Sequence, residues 1–493
     1  MFRRILIANR GEIAVRVIRA CRELGIASVA VYSDADAGAL HVSLADRAVR
    51  IGAAPAAESY LSADAVLAAA RDAGAEAIHP GYGFLSENHF FAAACAAAGI
   101  AFVGPPADVI ARMGSKIAAR QLASEAGVPV VPGETPADQG DAAVADAARR
   151  LGFPVLIKPS DGGGGIGMKG VRDEASLLTA IGQARREALA AFGDGTLYVE
   201  RLVERPRHVE IQILADHHGH VVHLFERECS LQRRHQKIVE ETPSMAVAPR
   251  LRAGMGEAAI AVARLAGYRN AGTVEFLLEG SGDAAQFYFL EMNTRLQVEH
   301  PVTEQTTGVD LVAAQIRIAA GEPLRWSQDQ LLQRGHAIEV RIYAEDPSSD
   351  DLPQAGPLLL YREPSMPGVR VDAGVAEGDG VPVHYDPLIA KLIASGDTRE
   401  DARRRAIAGL RSYPILGVRT NVPFLIGLLE HPAFIRGDVD TGFVDAERGA
   451  LVAHLGGDPP PDACAVAAHA DEITSRTERV MPDPWTSLRG WRV

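Results

Sequence analysis

Five polar side chains recur at every second position between residues 291 and 299: Glu291, Asn293, Arg295, Gln297 and Glu299. Met292, Thr294, Leu296 and Val298 fill the gaps. On an extended backbone, period two sends alternate side chains to opposite faces. Two carboxylates, two amides and a guanidinium would then share one surface. A solvated edge strand shows the same alternation. The preceding residues 286–290 (QFYFL) favour a different reading, because they are apolar on both faces and predict a buried strand. Carboxylates delivered by a buried strand need a cation or a reaction to justify their desolvation. Residues 273–278 (TVEFLL) and 286–292 read as a hairpin, which sets Glu275 opposite Glu291. Two adjacent buried carboxylates repel, and one must protonate unless a cation bridges them. Magnesium prefers hard oxygen ligands completed by phosphate oxygens, so Glu275, Glu291 and Asn293 with a nucleotide make a coherent metal site.

Phosphate chemistry has its own candidates. In residues 154–168 (PVLIKPSDGGGGIGM) an apolar strand carries Lys158 into a glycine-rich loop containing Gly163, Gly164 and Gly165. Glycines let backbone N–H groups close on phosphate oxygens and permit a hinged lid. No GK[ST] follows, so this is not a P-loop. A flexible linker is the alternative, but entry from a lysine-bearing strand favours phosphate contact. Residues 232–237 (QRRHQK) form a basic cluster. It is either a solvated face ion-paired with neighbours such as Glu226 and Glu228, or a pocket for a small anion. Lys116 stands in the first turn of a predicted helix, a place where a lone lysine is usually only solvated.

The elements that must position these groups follow from periodicity. Strands are predicted at residues 4–8, 28–32, 77–79 and 101–103, with helices at 12–24, 63–73, 90–98 and 115–126. Strict strand–helix alternation over the first hundred residues predicts an α/β fold with a doubly wound parallel sheet, which binds ligands at the carboxyl ends of its strands. Two loops sit there: residues 9–12 (NRGE) and 79–88 (HPGYGFLSEN), the second presenting Tyr82 and Phe84 on a tight turn. Pro129 and Pro132 mark a boundary.

With 493 residues, of which 47% are hydrophobic, the chain is long enough for two to four domains. The formal charge of −13 argues against general nucleic-acid binding. No apolar run is long enough for a membrane span. Four scattered cysteines without a CxxC pair suit a reducing cytoplasm. A strand begins at once, so no signal or transit peptide is expected.

Taken together, residues 7–14 (IANRGEIA), 79–88, 232–237 and 291–304 (EMNTRLQVEHPVTE) closely resemble the biotin carboxylase component of biotin-dependent carboxylases, an ATP-grasp family. The resemblance covers about residues 2 to 446. It implies a pre-ATP-grasp domain over residues 1–114, an ATP-grasp domain over 115–330 with a mobile lid near 131–204, and an α+β biotin carboxylase C-terminal domain over 331–446. Residues 447–493 are read as a tail outside it. By correspondence, Lys116, Lys158, Gly163, Gly164, Gly165, Glu200, His208, Gln232 and His235 bind ATP. Glu275, Glu291 and Asn293 hold Mg2+ or Mn2+. Lys237, Arg295, Gln297, Val298 (through its backbone) and Glu299 bind bicarbonate. Glu299 is the general base, acting with Arg341, Arg295 and Lys237. Arg341 and Tyr82 flank biotin. Homodimers are common in the family, and Arg16, Arg19 and Glu23 match positions associated with that contact.

The implied reaction is ATP- and bicarbonate-dependent carboxylation of biotin through carboxyphosphate, the first half-reaction of an acyl-CoA carboxylase, with acetyl-CoA and fatty acid biosynthesis as the first choice. No AMKM-type biotinylation site occurs, so a separate biotin carboxyl carrier protein and carboxyltransferase subunits are the expected partners. Nucleic acid and membrane are not. The family usually places Arg or Lys where this chain has Ile166. A different ATP-grasp carboxylate–amine ligase, or a non-catalytic nucleotide-binding subunit, are the alternatives.

Overall fold

Strand β1 (Arg4–Ile7) carries Ile5, Leu6 and Ile7 with no exposed surface, so it must lie in the middle of a sheet. It does. In the computed structural model it pairs in parallel with β2 (Ala27–Ser33) and β4 (Ala77–His79), within the order β3-β2-β1-β4-β5. Strands β3 (Arg47–Gly52) and β5 (Ala101–Phe102) close the two edges, also in parallel. The structure describes residues 1–160, 167–234, 236–453 and 455. Strand β3 escapes the sequence reading because it is an edge strand, with Arg47 and Arg50 exposed along it. Helix α1 (Gly11–Glu23) follows β1 at once, and Gly11 makes the turn at φ 64°. On this helix Arg16 turns inward to Glu304 and Asp310, at 2.9 and 2.7 Å, whereas Arg19 and Glu23 are exposed.

Residues 133–201 form a separate layer. Four short strands, β6 (Gly133–Glu134), β7 (Val155–Pro159), β8 (Lys169–Val171) and β9 (Leu197–Arg201), pair antiparallel in the order β6-β9-β7-β8. Helices Asp141–Leu151 and Glu174–Phe192 cover one face through Val144, Leu177 and Ile181, packed on Val155 and Ile157.

The largest element is an eight-stranded antiparallel sheet. It runs from β14 (Gln286–Asn293) through β13 (Asn270–Glu279), β10 (Arg207–Ala215), β11 (Val221–Arg233), β12 (Gln236–Thr242) and β15 (His336–Tyr343) to strands Leu388–Gly396 and Val369–Ala373. It is continuous across residue 330, where the sequence suggests a boundary.

Two expectations change here. The 286–290 segment is not buried on both faces. Strand β14 lies at the sheet's edge, and within 286–290 only Phe289 is buried. The extended backbone expected over residues 291–299 also stops at Asn293. Residues 294–299 turn, and Glu299 caps helix His300–Thr307 with φ −80° and ψ 6°. Pro301 in that first turn suits a helix start and disfavours a continued ladder.

Candidate active site

Every described residue assigned to the site in the sequence lines one cleft of about 1310 Å³. The loop after β4 contributes Tyr82, the small antiparallel layer Lys158 and Glu200, the large sheet His208, Gln232, Lys237, Glu275, Glu291, Asn293 and Arg341, the turn after β14 Arg295, Gln297, Val298 and Glu299, and the start of helix Lys116–Glu125 supplies Lys116. Gly163, Gly164, Gly165, Ile166 and His235 lie outside the described residues, as do residues 456–493 of the tail.

The hairpin forms as expected, with Glu275 the cross-strand partner of Glu291. The two carboxylates then part company. Glu275 accepts from Lys237 Nζ at 2.8 Å, Asn293 Nδ2 at 2.9 Å and Gln297 Nε2 at 2.8 Å, all on Oε1. His208 Nε2 stands 2.9 Å from its other oxygen as a charge contact. Burial works against the charged form of Glu275, but Lys237 and His208 outweigh it and hold the carboxyl well below its ordinary range. Among the described residues the Glu291 carboxylate accepts no side-chain hydrogen bond comparable to those on Glu275. Burial, and then the charge of Glu275, push its carboxyl up, with Lys116 pulling the other way. An under-neutralised carboxylate beside a second one, facing a cleft, fits a hard divalent cation.

Two other clusters bring potential ligand atoms together: His208 with Glu210 and Glu275, and Glu210 with Cys229 and Glu299. Both are already served by an ammonium. Lys237 Nζ donates to Glu210 Oε2 at 2.6 Å, Glu275 Oε1 at 2.8 Å and Glu299 Oε1 at 2.7 Å, which uses all three of its protons. Burial lowers the pKa of Lys237, and the three carboxylates more than reverse that.

Glu299 sits between two cations. Lys237 holds one oxygen, and Arg341 Nη2 donates to the other at 3.0 Å. Burial again opposes the charge, but Lys237, Arg341 and Arg227 keep the carboxyl far below its usual range. Arg341 also donates to Glu240 at 2.6 Å. Arg295 donates to Glu87 Oε2 at 2.8 Å and to Asn293 Oδ1 at 3.0 Å. The Gln232 amide lies 2.8 Å from His208 Nδ1 and holds the ring with Nε2 toward Glu275. Lys158 and Arg120 grip Glu200 from two sides, at 2.7 and 2.6 Å.

The basic cluster divides between two surroundings, and none of its described residues pairs with Glu226 or Glu228. Arg233 pairs with Glu345 and Asp351, and Arg234 with Asp350, away from the cleft. Gln232 and Lys237 turn into it. Sequence reasoning missed a supporting layer. Arg227 is wholly buried and donates to Glu210 at 2.5 Å, Gln212 at 2.8 Å and Gln297 at 3.1 Å. Its sequence neighbours Glu226 and Glu228 alternate to the opposite face of β11, where Arg252 holds Glu226 and Ser244 donates to Glu228. Glu87 was visible only as part of the 79–88 string.

Three family models match in succession: "Biotin carboxylase, N-terminal domain" over residues 1–110, "Carbamoyl-phosphate synthase L chain, ATP binding domain" over 115–327, and "Biotin carboxylase C-terminal domain" over 339–446. A protein named biotin carboxylase from Halalkalibacterium halodurans is 53% identical over 444 residues, covering 90% of this chain and 97% of that one. The chain belongs to the biotin carboxylase family. It is an ATP-dependent carboxylase of the ligase class with the ATP-grasp fold. The alpha subunit of mitochondrial methylcrotonoyl-CoA carboxylase from Dictyostelium discoideum is 48% identical over 495 residues, covering 99% of this chain and 70% of that one. Among solved structures, the biotin carboxylase domain dimer of Hydrogenobacter thermophilus 2-oxoglutarate carboxylase, in complex with MgADP, ADP and bicarbonate, superposes with a TM-score of 0.88 at 44% identity. That match covers 92% of this chain and 99% of the other. No helix of the described residues is long and apolar enough to cross a membrane.

Proposed function

We propose that this biotin carboxylase activates bicarbonate with ATP at Glu299, Lys237 and Arg295, and passes the carboxyl group to biotin beside Arg341 and Tyr82. The observation that carries this is Glu299, held between Lys237 and Arg341 and sharing the Lys237 ammonium with Glu275. Glu275, Glu291 and Asn293 would hold the magnesium ion, which when bound neutralises charge on the ATP phosphates. Lys116, Lys158, His208 and Gln232 line the ATP side of the cleft.

In the resting site Lys237 is saturated by carboxylates. A bicarbonate anion entering next to Arg295 competes for Lys237 and Arg341. Glu299 then loses part of its counter-charge and its proton affinity rises, which is what a base needs at the moment of use. Glu299 takes the bicarbonate proton, and the bicarbonate oxygen attacks the γ-phosphorus. The new P–O bond forms as the bond to ADP breaks, giving carboxyphosphate. Lys237 and Arg295 balance the charge on this intermediate. Its breakdown yields carbon dioxide and phosphate, and the phosphate accepts the proton from the ureido nitrogen as the N–C bond forms. Arg341 stabilises the developing charge on the ureido oxygen.

One assay tests this reading: phosphate release from Mg-ATP with free biotin, with and without bicarbonate. Release that requires bicarbonate is expected. Release independent of bicarbonate would point to another carboxylate–amine ligase, and none at all to a nucleotide-binding subunit. Glu291→Gln is expected to raise the magnesium concentration for half-maximal activity roughly tenfold or more. Titration of activity against free Mg2+ checks this.

The wider assembly is also proposed. Biotin arrives on a separate carrier protein, with carboxyltransferase on further chains, in the cytoplasm. An acyl-CoA acceptor is supported by the methylcrotonoyl-CoA carboxylase relative, acetyl-CoA being the first choice from the sequence alone, and the 2-oxoglutarate carboxylase relative supplies the 2-oxo acid alternative. Pairing of two copies would use the exposed Arg19 and Glu23, with the inward-facing Arg16 bracing the helix that carries them. The divisions at 1–114, 115–330 and 331–446, with a lid near 131–204, are retained.

A further inference from the structure

Lys391 is completely buried, yet the cleft does not contain it. It stands on strand Leu388–Gly396 as the cross-strand partner of Arg341. Partners in an antiparallel ladder share a face, so both cations project from the same side of the sheet. Arg341 reaches Glu299, and Lys391 Nζ donates to the carbonyl of Val298, at 2.6 Å. That contact fixes the Val298–Glu299 peptide, just where the chain turns into helix His300–Thr307. The same ammonium stands 3.2 Å from Glu12 Oε1. Glu12, at the start of α1, accepts the hydroxyl proton of Tyr82 on the same oxygen. Glu12, Tyr82 and Val298 all line the cleft.

A buried ammonium is costly unless it is paired and hydrogen-bonded. Three buried acids balance its charge, Glu12 first, then Glu339 on β15 and Asp372 on the other neighbouring strand. Asp372 is also matched by Arg370 at 2.6 Å, and Glu339 makes no hydrogen bond among the described residues, so the direct contacts of the ammonium are Glu12 and the Val298 carbonyl. What Lys391 joins is the parallel sheet's loop with Tyr82 to the turn with Val298 and Glu299. The seam is tight as well: a Cβ on Gly374 would collide with the backbone of Gly11 and Glu12.

We propose that Lys391 and Glu12 form a positioning pair that sets the bicarbonate side of the cleft (Val298, Glu299) in register with the biotin side (Tyr82), so that the activated carboxyl group is transferred and not lost to water. This rests on the bicarbonate and biotin assignments made above. It concerns how the two half-sites are aligned, and neither residue acts on a reacting atom.

The test measures phosphate released and carboxybiotin formed in the same reaction, for the wild type and for Lys391→Met, Glu12→Gln and Gly374→Ala. Wild-type phosphate release that ignores bicarbonate would defeat the underlying assignment and not this inference. Given a normal wild type, Lys391→Met is expected to raise the KM for bicarbonate about tenfold, the scale of one lost hydrogen bond from a charged donor. It is also expected to raise the ratio of phosphate to carboxybiotin severalfold, with the KM for ATP unchanged. Glu12→Gln keeps an acceptor for Tyr82 and should raise the ratio in the same direction. Gly374→Ala leaves every charge in place and should do so by displacing the seam alone. If Lys391→Met does not fold, the other two variants decide. A wild-type ratio in the folded variants, with any loss shared equally by both products, would overturn the inference in favour of a purely structural lysine.

Discussion

Glu299→Gln is expected to lower bicarbonate-dependent turnover by ~10²–10⁴-fold, the usual contribution of a positioned base, while the KM for ATP stays near the wild-type value. The substitution keeps the volume and one acceptor oxygen, but it removes the group that takes the proton. It also sets an amide N–H against one of two donors, Lys237 Nζ or Arg341 Nη2, which now approach the carboxylate at 2.7 and 3.0 Å. Among the residues proposed above for ATP, Lys158, Glu200 and His208 form no bond to Glu299. Steady-state kinetics with ATP and bicarbonate varied separately measure both quantities. Unchanged turnover would remove Glu299 as the base and leave it as a counter-ion for Lys237.

Lys237→Met should be more damaging, because it strikes stability and chemistry together. Three buried carboxylates share this one ammonium. Removing one partner of a buried ion pair typically costs about 3–5 kcal/mol, since the other charges stay behind without compensation. Arg227 still serves Glu210, and Arg341 still serves Glu299, so the fold should survive at reduced stability. Bicarbonate-dependent phosphate release should fall below detection, because the anion loses its main counter-charge and the carboxylates it must approach become more repulsive.

The pH dependence gives a second reading. Glu275 and Glu299 are held below their ordinary range in the folded protein. Groups with depressed folded pKa values add stability that is present above the unfolded value, about 4.3 for glutamate, and is lost as pH falls below it. In Lys237→Met this acid-side loss should shrink, because the depression has lost its first cause. Denaturant midpoints at pH 7 and pH 4 test it. A variant with wild-type stability at both would mean that the carboxylates do not depend on Lys237.

The Glu275–Glu291 pairing was legible because a hairpin is local. Period-two patterning and a short Gly/Asp turn suffice to place the two residues opposite each other. The same patterning misjudged how far the strand runs. Alternation continues through Glu299 in sequence, but the backbone turns after Asn293, and Glu299 reaches the cleft from a helix start. The side chains converge by a route that periodicity does not encode. The burial of β14 was misjudged for a related reason: an apolar run does not say whether a strand has neighbours on both sides, and this one has a single ladder partner.

Residue types and spacings alone determined that this protein has a parallel α/β sheet at its start, a carboxylate hairpin suited to a divalent ion, and the motif strings of a bicarbonate-activating ATP-grasp family. These are short-range properties, written by side-chain period and turn chemistry over a dozen residues at most. Only the tertiary structure decided that Arg227 serves Glu210, that Arg16 faces inward, and that Lys391 on the large sheet meets the turn at Val298 and the helix start at Glu12. Such contacts join residues tens to hundreds of positions apart. They are settled by how sheets pack and which face each strand presents, because a buried charge takes its partner from whatever that packing brings within reach.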